Sequence, residues 1–196
     1  MTKIKSLIIL FIAIAGAYFI YHHFDTNDEI EPVVDRFSSE YNQVSENNIF
    51  KYSTTDEILN TLEGGTGYVF LCTPKSEWCN YYATYLNEAL MENGIDTIYY
   101  YNIEKDRTLN TMKYNRILNV LQPYIFINDT QTSQIYMPDL TVVKNGNIIA
   151  HDNETSFVMS DQNPKDYWTD EKKQEFKNKI QNFVFTMNIE ENIEEE

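Results

Sequence analysis

The constraint that most narrows the fold is a five-residue run without a polar position, Tyr68-Val69-Phe70-Leu71-Cys72. A strand with one wet face alternates apolar and polar residues, whereas a strand apolar throughout must be covered on both sides. The chain supplies such cover at once. From Trp78 to Asn93 the apolar residues Trp78, Tyr81, Tyr82, Tyr85, Leu86, Ala89 and Leu90 recur at helical spacing, and Gly94 is a natural stop. A buried central strand that runs straight into an amphipathic helix predicts an α/β protein with helices on both faces of its sheet.

The same alternation extends along residues 48–188. Asn48 to Tyr52 reads as a short strand. Thr54-Thr55-Asp56-Glu57 is a capping box opening a helix through Ile58, Leu59 and Leu62, and Gly64-Gly65 ends it. Thr97 to Tyr101 is a second, aromatic strand, so the three tyrosines at 99–101 are sheet rather than a stacking platform. Leu109 to Leu121 reads as a helix closed by Pro123, and Asn128-Asp129-Thr130 marks a polar loop. Asp139 to Val143 and Ile148 to Ala150 are strands joined by a hairpin turn with the favoured Asn145-Gly146 pair. Thr169, Asp170 and Glu171 begin a last helix, with Phe176, Ile180, Phe183, Val184 and Met187 on one face. Residues 189–196 form an acidic tail. This order demands parallel pairing in the centre and antiparallel pairing at the hairpin, and no internal repeat is present.

The N-terminus has a different character. Lys3 and Lys5 precede an uncharged apolar run, and Ser6 to Phe24 is about the length that spans a hydrocarbon core. Acidic residues follow it (Asp25, Asp28, Glu29, Glu31), so the positive-inside rule keeps the N-terminus cytoplasmic and sends the body outside. Residues 1–24 are therefore expected to be a single-pass anchor. A cleavable signal peptide competes, since Ala13-Ile14-Ala15 and Ala15-Gly16-Ala17 are small-x-small triplets. Tyr18 to Tyr21 carry the apolar run beyond both, which favours an uncleaved anchor. His22 and His23 then belong to the outer interface. Residues 25–47 read as a polar linker with room for a short helix at Val33, Val34 and Phe37.

Charge and cysteine usage exclude several classes. Thirty acidic residues against fifteen basic ones give a formal net charge of -15, which argues against nucleic acid as a partner and against a body lying on anionic lipid. Cys72 and Cys79 are the only cysteines, and no second pair or nearby histidine completes a zinc site. They are a redox pair, a local disulfide, or unrelated. Neither a phosphate-binding glycine loop, nor paired catalytic acids, nor a nucleophile elbow appears, so no metal or cofactor is expected. His151 reads as a local polar group.

The element order resembles the thioredoxin fold, βαβαβαββα with a mixed central sheet flanked by helices, over roughly residues 48–188. Two segments sharpen the resemblance. Met137-Pro138-Asp139-Leu140-Thr141-Val142-Val143-Lys144-Asn145-Gly146 looks like the thioredoxin segment that begins with a cis-proline and runs into a strand and an Asn-Gly hairpin. Phe70-Leu71-Cys72-Thr73-Pro74-Lys75-Ser76-Glu77-Trp78-Cys79 looks like the strand-to-helix turn that carries Cys-x-x-Cys. A bacterial subgroup of thioredoxin-like proteins is closer still, pairing such a turn with a Pro-Asp-x-x-x-Val-Lys-x-Gly segment. With the anchor, the resemblance implies a domain on the outer face of a bacterial cytoplasmic membrane.

The motif departs from the family at its first cysteine. Matching Trp78-Cys79 to the family's Trp-Cys puts Tyr82 where the second cysteine belongs, whereas taking Cys79 as the second cysteine puts Ser76 in place of the first. Loop length favours the latter, because Ser76 lies four residues past Cys72, the usual spacing in the family. The resemblance implies thiol-disulfide exchange with protein or peptide substrates. Cys79 would carry the chemistry, with Cys72 as a possible partner, and Ser76, Trp78, Met137 and cis-Pro138 would line the substrate groove. Ser76 itself is a poor nucleophile towards sulfur and a preferred helix N-cap. Cys79, in the reach of the helix dipole, reads equally as a reactive thiol or as a buried small hydrophobe. A Cys72–Cys79 bridge requires Cα atoms within about 7 Å. Trp78 is either a substrate-facing ring or a rim residue packed on the turn. The alternative function is a redox-inactive module that binds an extended peptide in the same groove.

Overall fold

The computed structural model of the chain describes residues 33–125, 134–153, 155 and 162–189. The expected anchor at 1–24, the first part of the expected linker, the polar loop at 128–130 and the acidic tail from 190 lie outside them. Among the described residues no helix is long and apolar enough to cross a membrane.

Five strands form one mixed sheet: β1 (Phe50–Tyr52), β2 (Gly67–Cys72), β3 (Ile98–Asn102), β4 (Asp139–Lys144) and β5 (Asn147–Asp152), in the order β1-β3-β2-β4-β5. β3 runs parallel to both β1 and β2, while β4 is antiparallel to β2 and to β5. The chain is thus a mixed α/β protein, as the run at 68–72 demands. β2 is the central strand and is buried on both sides: Phe70 and Cys72 face one apolar cluster, Val69 and Leu71 the other.

Helices cover each face. On the Phe70 side pack α1 (Val33–Glu40), α3 (Glu77–Glu92) and α7 (Asp170–Ile189), with Trp168 from the end of the short α6 (Pro164–Tyr167). On the Leu71 side pack α2 (Thr55–Gly64) and α5 (Met112–Leu121) through Ile58, Leu59, Leu62, Tyr114, Ile117 and Leu121. α2 starts as its capping box requires. The Thr54 hydroxyl accepts from the Glu57 amide at 3.2 Å, and the Glu57 carboxylate accepts from the Thr54 amide at 2.7 Å. At the hairpin, Asn145 (φ 50°) and Gly146 (φ 74°) take the left-handed pair that a two-residue turn needs. Gly146 also packs against α2, where an added Cβ would stand 2.6 Å from the Glu63 carbonyl oxygen.

Three elements differ from the sequence expectation. Residues 33–47, expected as linker, contribute to the core. Phe37 and Tyr41 are fully buried, Phe37 stacks on Phe50 at 4.0 Å, and the Tyr41 hydroxyl donates to that of Tyr100 at 2.9 Å. Burial of these four aromatic rings against one another outweighs the polar composition around residues 33–47. The helix expected from Leu109 starts instead at Met112, because Asn110 turns left-handed (φ 48°) and Thr111 caps the start by accepting from the Tyr114 amide. The short helix before it, α4 (Glu104–Leu109), and α6 were not foreseen. Finally, the β4–β5 ladder contains a bulge, since Val143 faces Ile148 but Val142 faces Ala150, leaving Ile149 as the extra residue.

Candidate functional site

The site forms where β2 ends and α3 begins. Cys72 is the last residue of β2 and Cys79 lies in the first turn of α3; the two form a disulfide with Cα atoms 6.0 Å apart. Of the three readings left open by the sequence, the bridge removes the one in which the two cysteines are unrelated, and the chain has no free cysteine. Both cysteines are fully buried in the cluster that contains Phe70, Tyr82 and Trp168. The helix start above them is closed by Ser76, whose hydroxyl accepts from the Cys79 amide at 3.4 Å. Ser76 is an N-cap, as its residue type suggests.

The six residues inside the bridge are held from two directions. Asn80 donates through its side-chain amide to the carbonyls of Pro74 (3.0 Å) and Ser76 (3.1 Å). Glu104, at the start of α4, accepts from Thr73 at 3.0 Å and from Lys75 at 2.9 Å. The hydrogen bond from Lys75, then that from Thr73, holds the Glu104 carboxyl below the usual carboxylate range. Trp78 does not stand free beside the sulfur. It is half-buried and packs edge-on against Tyr167 of α6 at 5.3 Å, which favours the rim reading.

Pro138 follows a cis peptide bond and is buried, while Met137 is half-buried and touches both apolar clusters. The register pairs Leu71 with Asp139, so one step further along the antiparallel ladder Pro138 lies beside Cys72. The approach to the proline is anchored by side chains rather than by sheet pairing. The Ile135 amide donates to the Tyr114 hydroxyl at 3.2 Å, and Arg107 donates to the Ile135 carbonyl at 3.4 Å. The structure thus brings Cys72, Cys79, Ser76 and Pro138 to one end of the sheet, with Met137 beside them and Trp78 on the helix flank.

Sequence reasoning missed two buried polar groups at this end. Asp139, directly after the cis-proline, lies 2.9 Å from Nε2 of His151 on β5, with side-chain exposures of 1% and 7%. Thr141 also donates to Asp139, at 3.2 Å. On the opposite face, Asp152 accepts from the Tyr82 hydroxyl at 2.7 Å and from Lys179 of α7 at 3.1 Å. Only a residue-by-residue register of the hairpin could have revealed either group, and the bulge conceals that register.

Chemically, the site holds a closed disulfide under a capped helix start, with an extended segment beside it. Among the described residues no cluster of three or more His, Cys, Asp or Glu side chains is placed to hold a metal. Compared with known proteins, the chain matches no family model, no curated protein and no solved structure.

Proposed function

We propose that the chain is a thioredoxin-like module, held outside the cytoplasm by its N-terminal segment, that binds an extended peptide along the Met137-Pro138 edge and uses Cys72–Cys79 as an internal staple. The fold part of this reading is supported by the strand order, the antiparallel hairpin and the cis-proline opening β4. The observation that carries the functional part is the burial of the bridge. Exchange requires a thiolate to reach a disulfide sulfur, and both cysteines are fully enclosed. The residue that a thioredoxin-like enzyme would use for attack is here Ser76, occupied with capping.

Thiol-disulfide exchange through Cys79 is the second reading, and one observation favours it. Cys79 lies in the first turn of a 16-residue helix, where the dipole stabilises a thiolate once the bridge opens. Native alkylation of the full chain, with and without glutathione, separates the two. The staple reading expects no labelling until the protein is both denatured and reduced, and peptide binding that survives the Cys72→Ala/Cys79→Ala change. Ready opening of the bridge in folded protein, together with reduction of insulin that Cys79→Ala abolishes, would establish exchange instead.

A further inference from the structure

Next to the clamped turn lies an open cleft lined by Lys75, Asn102, Glu104, Lys105, Thr108 and Leu109. Its surface is mainly apolar although three of its six lining residues are charged, as expected where long side chains lay their aliphatic stems along a wall. Leu109 is 64% exposed, and Met112, which opens the next helix, is 90% exposed. An isolated surface leucine needs no explanation. Here the apolar side chain belongs to a cleft at the same end of the sheet as the bridge, since its lining residue Asn102 pairs with Cys72.

Charge makes the case specific. Acidic residues outnumber basic ones thirty to fifteen, so a lysine without a partner is unexpected in this chain. Lys51, Lys75, Lys113, Arg116, Lys172, Lys173, Lys177 and Lys179 each meet a carboxylate. Arg36 pairs with Glu40, while Arg107 and Lys144 donate to main-chain carbonyls. Among the described residues only Lys105 and Lys165 are left over, and Lys105 lines the cleft. With Lys75 and Glu104 compensating each other, the lining carries a net positive charge.

We infer that this cleft receives an acidic extended peptide, with an apolar side chain against Leu109 and a carboxylate against Lys105. The inference rests on the peptide-binding reading above and names the chemistry of the peptide. A mainly apolar lining with one unpaired cation selects a ligand carrying both features, since burying the alkyl group excludes water while the carboxylate fixes orientation.

The test uses the full chain in nanodiscs of neutral phosphatidylcholine and labelled short peptides of three kinds: Glu with Leu, Lys with Leu, and Glu with Ser. Fluorescence anisotropy should show the Glu-Leu peptide bound at least about tenfold more tightly than the other two. Lys105→Glu should invert the charge preference, and Leu109→Ser should remove the advantage of leucine. Both side chains are exposed, so neither change disturbs the core, and circular dichroism verifies this. Equal binding of all three peptides, unaffected by either variant, overturns this inference while leaving the peptide-binding reading intact. If none of the three peptides binds the unmodified chain, both fail. Capture by phosphatidylglycerol vesicles through Lys105 and Leu109, without peptide binding, assigns the cleft to a lipid surface and likewise overturns the proposal.

Discussion

Removing the bridge provides the sharpest test of how this site is built. Cys72 and Cys79 are seven positions apart, and the link restricts the unfolded chain by closing that short loop. In the chain-entropy treatment a loop of about eight residues is worth about 2.5 kcal/mol at room temperature. Protein reduced while unfolded and refolded in reductant, which leaves both sulfurs in place, should lose about that amount of stability. Replacing both residues by alanine removes in addition two sulfur atoms from a closed cluster, each comparable to a methylene at about 0.8 kcal/mol, so the total approaches about 4 kcal/mol. Urea unfolding followed by tryptophan fluorescence is suited to the measurement, because Trp168 lies in the same cluster against Tyr82 and Phe176. With an m-value of about 2 kcal/mol/M, the double-alanine midpoint should fall by about 2 M and the reduced protein's by just over half that. A double-alanine protein as stable as the parent would refute the staple, since a bridge retained for exchange need contribute nothing to folding.

Two further outcomes follow from the packing. Phe37→Ala should cost about 3–5 kcal/mol in the same unfolding assay, because a fully buried ring stacked on Phe50 and Tyr41 is lost; a cost under about 1 kcal/mol would return residues 33–47 to linker status. His151 should titrate above the ordinary histidine value, since the hydrogen bond and charge of Asp139, with the charge of Asp152, outweigh the lowering effect of burial. Its contribution to stability is therefore complete below about pH 6.5 and is lost as pH rises through the elevated value. NMR titration of the imidazole should show the shift, Asp139→Asn should abolish it, and an unshifted His151 would contradict the pair.

How much of this was legible in the sequence depended on how local the signal was. The capping box at Thr54, the Asn145-Gly146 turn and the apolar run at 68–72 each act within a few residues, and each element forms where its residues place it. The cis bond at Pro138 was foreseeable only through the family resemblance, whereas the bridge was one of three readings that the two cysteines left open. The two buried polar groups were not foreseeable, for a reason that lies in the hairpin. A regular ladder from the Asn-Gly turn would set His151 opposite Leu140, on the face that carries the disulfide. The extra residue Ile149 shifts the strand by one, so His151 faces Thr141 and reaches Asp139, while Asp152 reaches Tyr82 and Lys179. One inserted residue decides which acid meets which base, and nothing in the local pattern of 147–152 announces it. The short helix at Val33, Val34 and Phe37 was allowed for, but its place in the core escaped notice for the opposite reason: Phe37 is fully buried. Tyr41 lies just beyond the helix, and its partner Tyr100 is 59 residues away.

The clamped turn bears on both proposals at once. An exchanging disulfide needs a loop that can present one sulfur and then withdraw it, so the residues around it must have somewhere to go. Here the turn between Cys72 and Cys79 is tied inward by Asn80 to the carbonyls of Pro74 and Ser76, and outward by Thr73 and Lys75 to Glu104. Two of the residues in those outward ties, Lys75 and Glu104, also line the cleft. A contact at the cleft would therefore bear on a turn already fixed, and the ordering of that turn need not be repeated when a peptide arrives. Rigidity of this kind favours binding and opposes exchange. Two of the same side chains, Lys75 and Glu104, are thus shared by the clamped turn and the proposed docking surface.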